Sequence, residues 1–177
     1  MGYSLQFFAL DAESIANQIR TEPEALLDRM ARQVREKDAF DEEELQTALA
    51  RAAAICEGRL PDDCDPDYFR ALCWLMEVVS EEVRIGSFVD FHWWFIEEAG
   101  IWPWLLRSRP PFPVPVCSDP SQQVGFLSVE DIERFALPAF DQLPPTDTSE
   151  VSYARQEFRE VLESLVEDKL DLLAVLV

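Results

Sequence analysis

The sequence predicts an α+β domain that is predominantly helical: a small sheet including the N- and C-terminal strands, covered by about six helices. Three observations carry this. Tyr3–Leu10 (YSLQFFAL) and Leu172–Val177 (LLAVLV) are short apolar runs rich in strand-forming residues, one at each end of the chain. Between them lie stretches with apolar residues at helical spacing, most of them opened by the Asp, Ser or Pro chemistry of a helix start. The segments do not alternate strand and helix, which argues against a doubly wound parallel sheet. The length of 177 residues suits one domain, 1–177. A chain of this size buries roughly 70% of its unfolded surface and needs no metal or disulfide to fold.

Asp11 is placed to cap a helix over Ala12–Arg20. Thr21-Glu22-Pro23-Glu24 reads as a capping box with Pro in the first turn, followed by a face of Leu26, Leu27, Met30 and Val34. Asp41-Glu42-Glu43-Glu44 sets acid at the positive end of the next helix. That helix carries Leu45, Leu49, Ala52, Ala53 and Cys56 at helical spacing, and Gly58 stops it. Asp65-Pro66 opens a helix with a stripe of Phe69, Leu72, Cys73, Met76, Val79 and Val83, broken at Gly86-Ser87. Phe88–Ala99 is apolar nearly all round and reads as a central helix ended by Gly100.

Trp102-Pro103-Trp104 begins an irregular stretch. It leads into a proline-rich arm at about residues 107–121, whose five prolines (110, 111, 113, 115 and 120) forbid a helix. Phe112, Val114 and Val116 alternate with prolines, so the arm is read as packed across the domain. That reading is preferred over a PxxP ligand motif at Pro110–Pro113. Val124–Leu127 reads as a short strand. Ser128 caps a helix with Asp131 as its third-position partner. Pro144-Pro145 marks a loop, and Glu150–Asp168 a long helix with Val151, Phe158, Leu162 and Leu165 on its inner face.

Charge is the unusual property. Thirty-five acidic residues against fifteen basic ones give a formal net charge of -20 and an isoelectric point near 4.2. Such a surface repels a phosphate backbone and anionic lipid, so neither nucleic acid nor membrane is expected as a partner. A basic protein is compatible with it, because opposite fields steer encounter. Solubility alone is the plainer explanation. The apolar run at the N-terminus lacks the basic residues of a signal peptide. No uncharged run reaches the roughly 18 residues needed to span a bilayer. Cys56, Cys64, Cys73 and Cys117 match neither a zinc spacing nor a disulfide framework. A reducing, cytoplasmic setting is expected.

Few constellations resemble chemistry. Asp62-Asp63-Cys64-Asp65-Pro66-Asp67 invites a calcium reading, since Asp63, Asp65 and Asp67 fit the first three positions of an EF-hand loop. The fit fails at Tyr68, where the sharp turn needs Gly, and at Trp74, where a bidentate Glu belongs. Helix capping explains Asp65 and Pro66 without metal. His92 is the single histidine, flanked by Phe88, Phe91, Phe95 and Ile96. It is read as a structural histidine, with general-base work as the sharper reading. Glu97 and Glu98 stand at the wrong spacing to share its helix face. Neither Cys117 nor Cys64 has the local context of a nucleophile paired with His92. With five glycines there is no phosphate-cradling loop, and there is no GxSxG elbow. Trp93, Trp94, Trp102 and Trp104 cluster within a dozen residues. Trp93 is assigned to the core, and the other three are left open between core and a ligand or partner groove.

Two stretches carry a family resemblance. The opening MGYSLQFFALDAESI resembles the start of YfbM-like bacterial proteins, a short strand followed by an acidic helix cap. SRPPFPVPVCSDPSQQVGFLSVEDIERF, Ser108–Phe135, is similar to a related group of bacterial domains of unknown function. In that group a proline-rich arm precedes a Gly-hydrophobic-Leu-Ser/Thr step into an acidic helix. The long helix ending in a terminal apolar strand is similar as well. Phe40–Gly86 is unmatched. The resemblance implies a small bacterial α+β domain and supplies no catalytic residue.

The function expected on these grounds is a non-enzymatic acidic interaction domain, in its sharpest form an immunity or antitoxin-like protein that neutralises a basic partner. The alternative is a small-molecule-binding protein or hydrolase with a site near His92 and the tryptophans, using Asp90, Glu97 or Glu98. A purely structural role is the third option. Candidate binding residues are His92, Trp94, Trp102, Trp104, Asp62, Asp63, Asp65 and Asp67. No catalytic residue, metal or cofactor is assigned.

Overall fold

Three apolar strands form the centre of the computed structural model, which describes residues 5–36, 41–80, 102–145 and 149–176, with the backbone alone at Trp102, Ser149 and Glu150. Strand β1 is Leu5–Leu10, β2 is Gln123–Leu127 and β3 is Asp171–Leu176. The sheet order is β1-β3-β2, with β3 antiparallel to both neighbours. The terminal strands pair as expected, Leu5 opposite Leu176 and Leu10 opposite Asp171. The short strand β2 completes the sheet on the other side of β3.

Side chains alternate across a strand, and here both faces are buried. Phe8, Leu10, Phe126, Leu173 and Val175 enter one core, with the helices α1 (Ala12–Thr21), α2 (Pro23–Glu36), α3 (Glu42–Cys56) and α4 (Pro66–Val79). Phe7, Ala9, Leu127, Leu172, Ala174 and Leu176 enter a second core. It is closed by three elements. The turn α5 is Trp102–Leu105, and α7 is Ser149–Asp168. Helix α6 runs through Val129–Asp131, Ile132–Ala136 and Leu137–Phe140. The architecture is α+β, mostly helical, with helices on both faces of a small sheet.

Local chemistry explains most boundaries. Asp11 accepts from the Ser14 amide at 2.9 Å to cap α1. Asp41 and Glu44 form a reciprocal capping box on α3. Asp65 caps α4, with Pro66 at its first turn. Gly58, at φ +66°, ends α3 in a Schellman motif: its own amide donates to Ile55 and the Arg59 amide to Ala54. Helix α7 ends in the same hydrogen-bond pattern, Lys169 to Val166 and Leu170 to Leu165. There the left-handed position is held by Lys169 at φ 58°.

Four details depart from the sequence reading. Thr21 does not box the start of α2. It is the last residue of α1, and its hydroxyl donates to the Asn17 carbonyl at 2.9 Å. Residues 102–105 are a helical turn rather than irregular chain, because Pro103 stands in a first turn that needs no amide donor. Helix α4 ends at Val79, where Ser80 turns extended and its hydroxyl bonds the Met76 carbonyl at 2.7 Å. Val83 and the expected helix Phe88–Ala99 lie outside the described residues. Finally, α6 contains a π-helical turn, Ile132–Ala136. Pro138 offers no amide to the carbonyl of Arg134 and its ring crowds that carbonyl, so the helix is widened just before it.

Gly125 lets α5 lie against the sheet. A Cβ there would stand 2.7 Å from Leu105 Cβ and 3.0 Å from the Leu105 carbonyl oxygen. Asp171 ties the two sides together. One carboxylate oxygen accepts from the first amide of α1, Ala12, at 3.1 Å, and the other from the first amide of α6, Val129, at 2.8 Å.

Two stability outcomes follow from these contacts. Replacing Asp171 with Ala leaves two helix-start amides without an acceptor and is expected to cost about 1–3 kcal/mol for each. Asp171→Asn should lose less, since its amide oxygen still accepts one. An unchanged urea midpoint for Asp171→Ala would show that neither amide depends on it. Lys169→Gly removes the side chain from a left-handed position and should raise stability by up to about 1 kcal/mol. Thermal or urea unfolding measures it, and a loss of stability would contradict the assigned strain.

Candidate functional site

The acidic residues singled out in the sequence lie on the loop between α3 and α4 and in the first turn of α4, and the proline-rich arm crosses beside them. The arm is extended, as its prolines require, with Phe112 and Val114 packed on the first core. Val116 departs from the expected alternation: it is 47% exposed and Pro115 is buried instead. The reason is a backbone bond from the Cys64 amide to the Val116 carbonyl at 2.8 Å, which fixes the arm's register at this point.

Asp63 supplies the second tie. Its carboxylate accepts from the Ser118 amide at 2.7 Å and from the Ser118 hydroxyl at 3.1 Å. These bonds, the amide first, hold its pKa below the ordinary carboxylate value. Asp65 accepts from the Asp67 amide at 3.1 Å and from Arg51 at 2.8 Å. The Arg51 guanidinium also lies over the Tyr68 ring, 4.6 Å from its centre, so α3 is clamped to the start of α4. Asp67 pairs with Arg70 at 3.1 Å. Asp62 is exposed, with no ion pair among the described residues. The cluster therefore divides: Asp63, Asp65 and Asp67 are bound to protein donors although each is partly or fully open to solvent, and Asp62 is exposed without an ion pair among the described residues. Among the described residues no group of three or more His, Cys, Asp or Glu side chains is arranged to hold a metal.

Trp104 belongs to an aromatic chain. Its ring meets Phe140 edge-on at 5.2 Å and Phe135 at 6.1 Å, and Phe140 continues to Phe158 and then Phe7 of β1. Arg107 lies over the outer ring, Phe135, at 3.9 Å. Trp104 is half-buried and packs as core. His92, Trp94 and the side chain of Trp102 lie outside the described residues, as do Asp90, Glu97 and Glu98.

Sequence reasoning missed a groove of about 490 Å³ between the end of α1, the end of α3 and the arm. Ala16, Ile19, Pro23, Cys56 and residues 111–113 make it apolar, with Arg20 and Glu57 as its charged members. No periodicity signals such a site, because its walls come from three separated segments. The four cysteines are free thiols. Burial pushes the Cys73 thiol far up and raises those of Cys56 and Cys64.

These features define a small α+β domain with helices on both faces of a three-stranded antiparallel sheet and a proline-rich strap fastened by carboxylates. Residues 1–175 match the family described as Domain of unknown function (DUF7691), and the chain belongs to that family. The expected likeness to domains of unknown function thus stands, while the YfbM-like likeness gains no support from this match. No curated protein and no solved structure matches the chain.

Asp63 gives a direct test of the strap. Its acidity is stronger folded than unfolded, so its contribution is present above the unfolded carboxylate value of about 3.9 and is lost as pH falls through the lower folded value. Asp63→Ala should speed hydrogen exchange at the Ser118 amide at neutral pH, and Asp62→Ala should not. Equal protection in both variants would mean that Asp63 does not hold the strap.

Proposed function

We infer that the chain is an acidic protein-interaction domain that binds a basic protein partner, in the manner of an immunity or antitoxin protein. Support comes first from where the charge lies. Among the described residues no charged or polar side chain is buried, so the acid is carried at the surface.

The observation that carries the reading is the placement of acid on α7. At helix N-termini carboxylates stabilise the fold through the helix dipole, and Glu42, Glu43 and Glu44 on α3 fall in that class. Toward a C-terminus the dipole opposes them. Helix α7 nevertheless exposes Glu160, Glu163, Glu167 and Asp168 along its second half and has no basic residue in its last turn. Arg159 offsets Glu163 at 2.9 Å. Glu160 accepts from the Gln156 side-chain amide at 2.9 Å and Asp168 from the Ser164 hydroxyl at 3.5 Å, but among the described residues Glu160, Glu167 and Asp168 form no ion pair, and a basic partner would offset that charge. Of the site residues named for the small-molecule alternative, Trp104 packs against Phe135 and Phe140, and His92, Trp94 and the Trp102 side chain lie outside the described residues.

Charge reversal separates fold from binding. Glu167→Lys with Asp168→Lys should hold or raise the melting temperature, since cations suit that helix end. The same variant should lose most of the protein's retention of basic proteins in affinity capture from host extract. Wild-type retention should fall steeply as salt rises. Salt-independent capture, or capture unaffected by the reversal, would overturn the assignment of this face.

A further inference from the structure

We propose that Cys64 and Cys117 form an intramolecular disulfide under oxidation, a modification site that fastens the proline-rich strap covalently to the loop ahead of α4. The inference is independent of the binding reading above. The Cys64 amide donates to the Val116 carbonyl at 2.8 Å. Cys117 follows Val116 directly, so covalent dimensions keep the two cysteine Cα atoms within about 7 Å of each other. That lies within the separation beyond which a bridge requires backbone movement. The neighbouring pair is tied as well, by the two bonds from Ser118 to Asp63 at 2.7 and 3.1 Å. Two hydrogen-bonded contacts in succession therefore hold the segments in place around the two thiols. Both cysteines pack on the edge of the first core, Cys64 buried and Cys117 half-buried.

The two thiols are unequal in a way that assigns their roles. Cys117 is the more accessible, being half-buried where Cys64 is buried, and its sulfur accepts from the Asp119 amide at 3.3 Å. Cys64 is 2% exposed, and burial together with Asp65, Cys117 and Asp63 raises its thiol. Cys117 is therefore the first to react and Cys64 the resolving thiol. With hydrogen peroxide as the oxidant, the Cys117 thiolate attacks one peroxide oxygen, the O–O bond breaks, and a sulfenic acid and one water result. The Cys64 sulfur then displaces the hydroxyl from the Cys117 sulfur, forming the S–S bond and releasing a second water. Two thiol hydrogens and two electrons pass to one peroxide, which balances the step. In a reducing compartment both thiols stay free, and the strap is held by hydrogen bonds alone.

The test uses the full chain, reduced, freed of reductant and treated with a few equivalents of hydrogen peroxide. The expected product is a monomer lighter by two hydrogens, with a Cys64–Cys117 linked peptide in a non-reducing digest. Hydrogen exchange at the Ser118 amide should slow by about tenfold or more, and dithiothreitol should reverse it. Cys117→Ser, at a half-exposed position, should abolish the linked peptide, and a Cys56→Ala, Cys73→Ala double variant should retain it. Recovery of the wild-type chain unmodified, a bridge through Cys56 or Cys73, an intermolecular dimer, or Cys117 carried to sulfinic acid with Cys64 still reduced would each overturn the proposal. None of these readings on the wild-type chain depends on a variant folding.

Discussion

A carboxylate with two oxygens stands where two helices begin, and the placement of the fold's outer layers depends on it. Strands β1 and β2 flank β3, and both end beside Asp171. Each passes through one capping residue, Asp11 or Ser128, into a helix, and the two helices lie on opposite faces of the sheet. Their first amides have no partner within their own helices. Asp171 accepts one from each side. The positive ends of two helix dipoles thus converge on one negative charge, which favours both helix starts and fixes them at the same end of the sheet. The central position of β3 makes this geometry available, since only the middle strand borders both neighbours.

The same chemistry recurs at the strap, with a looser result. Prolines remove the amides that would join residues 110–120 to a sheet. The segment is held at a few points where an amide remains, at Ser118 to Asp63, or where a carbonyl accepts, at Val116 from Cys64. Phe112 supplies the apolar anchor ahead of them in the chain. Asp131 plays a comparable part at the other side of the domain. It accepts from the Ser108 hydroxyl at 2.5 Å while its own amide is capped by Ser128 at 3.1 Å. Of the carboxylates that look like a ligand cluster in the sequence, Asp63 is an acceptor for the proline-rich chain, while Asp65 and Asp67 serve the start of α4.

What was legible in the sequence follows the range of the interaction responsible. Asp11, the Asp41–Glu44 box, Asp65-Pro66 and Ser128 act within three residues, and each is read correctly from local pattern. Gly58 announces the end of α3, yet the identical hydrogen-bond pattern at the end of α7 is invisible because Lys169 occupies its left-handed position. Thr21 misleads because a hydroxyl can also bond the carbonyl four residues back. Asp171 could not be read at all: its partners are 159 and 42 residues away. For the candidate site, composition located the Asp62–Asp67 cluster. Only the structure divides it into Asp62 and three residues held by Ser118, Arg51 and Arg70. The groove beside the arm and the meeting of Cys64 with the Cys117 segment depend on chain crossings that no spacing encodes.

Part of the acid falls into two groups with different physical causes. One sits at helix starts and under the strap, where dipoles, amides and hydroxyls lower the energy of a carboxylate and folding alone selects for acid. Asp11, Asp41, Glu44, Asp63, Asp65, Asp131 and Asp171 belong to it. The other lies along the exposed second half of α7, where the dipole runs against acid and no last-turn cation relieves it. Solubility explains acid anywhere on a surface, but it gives no reason to prefer the end of a helix that resists it. On the binding reading proposed above, a positively charged surface facing α7 would have the sign to offset that charge.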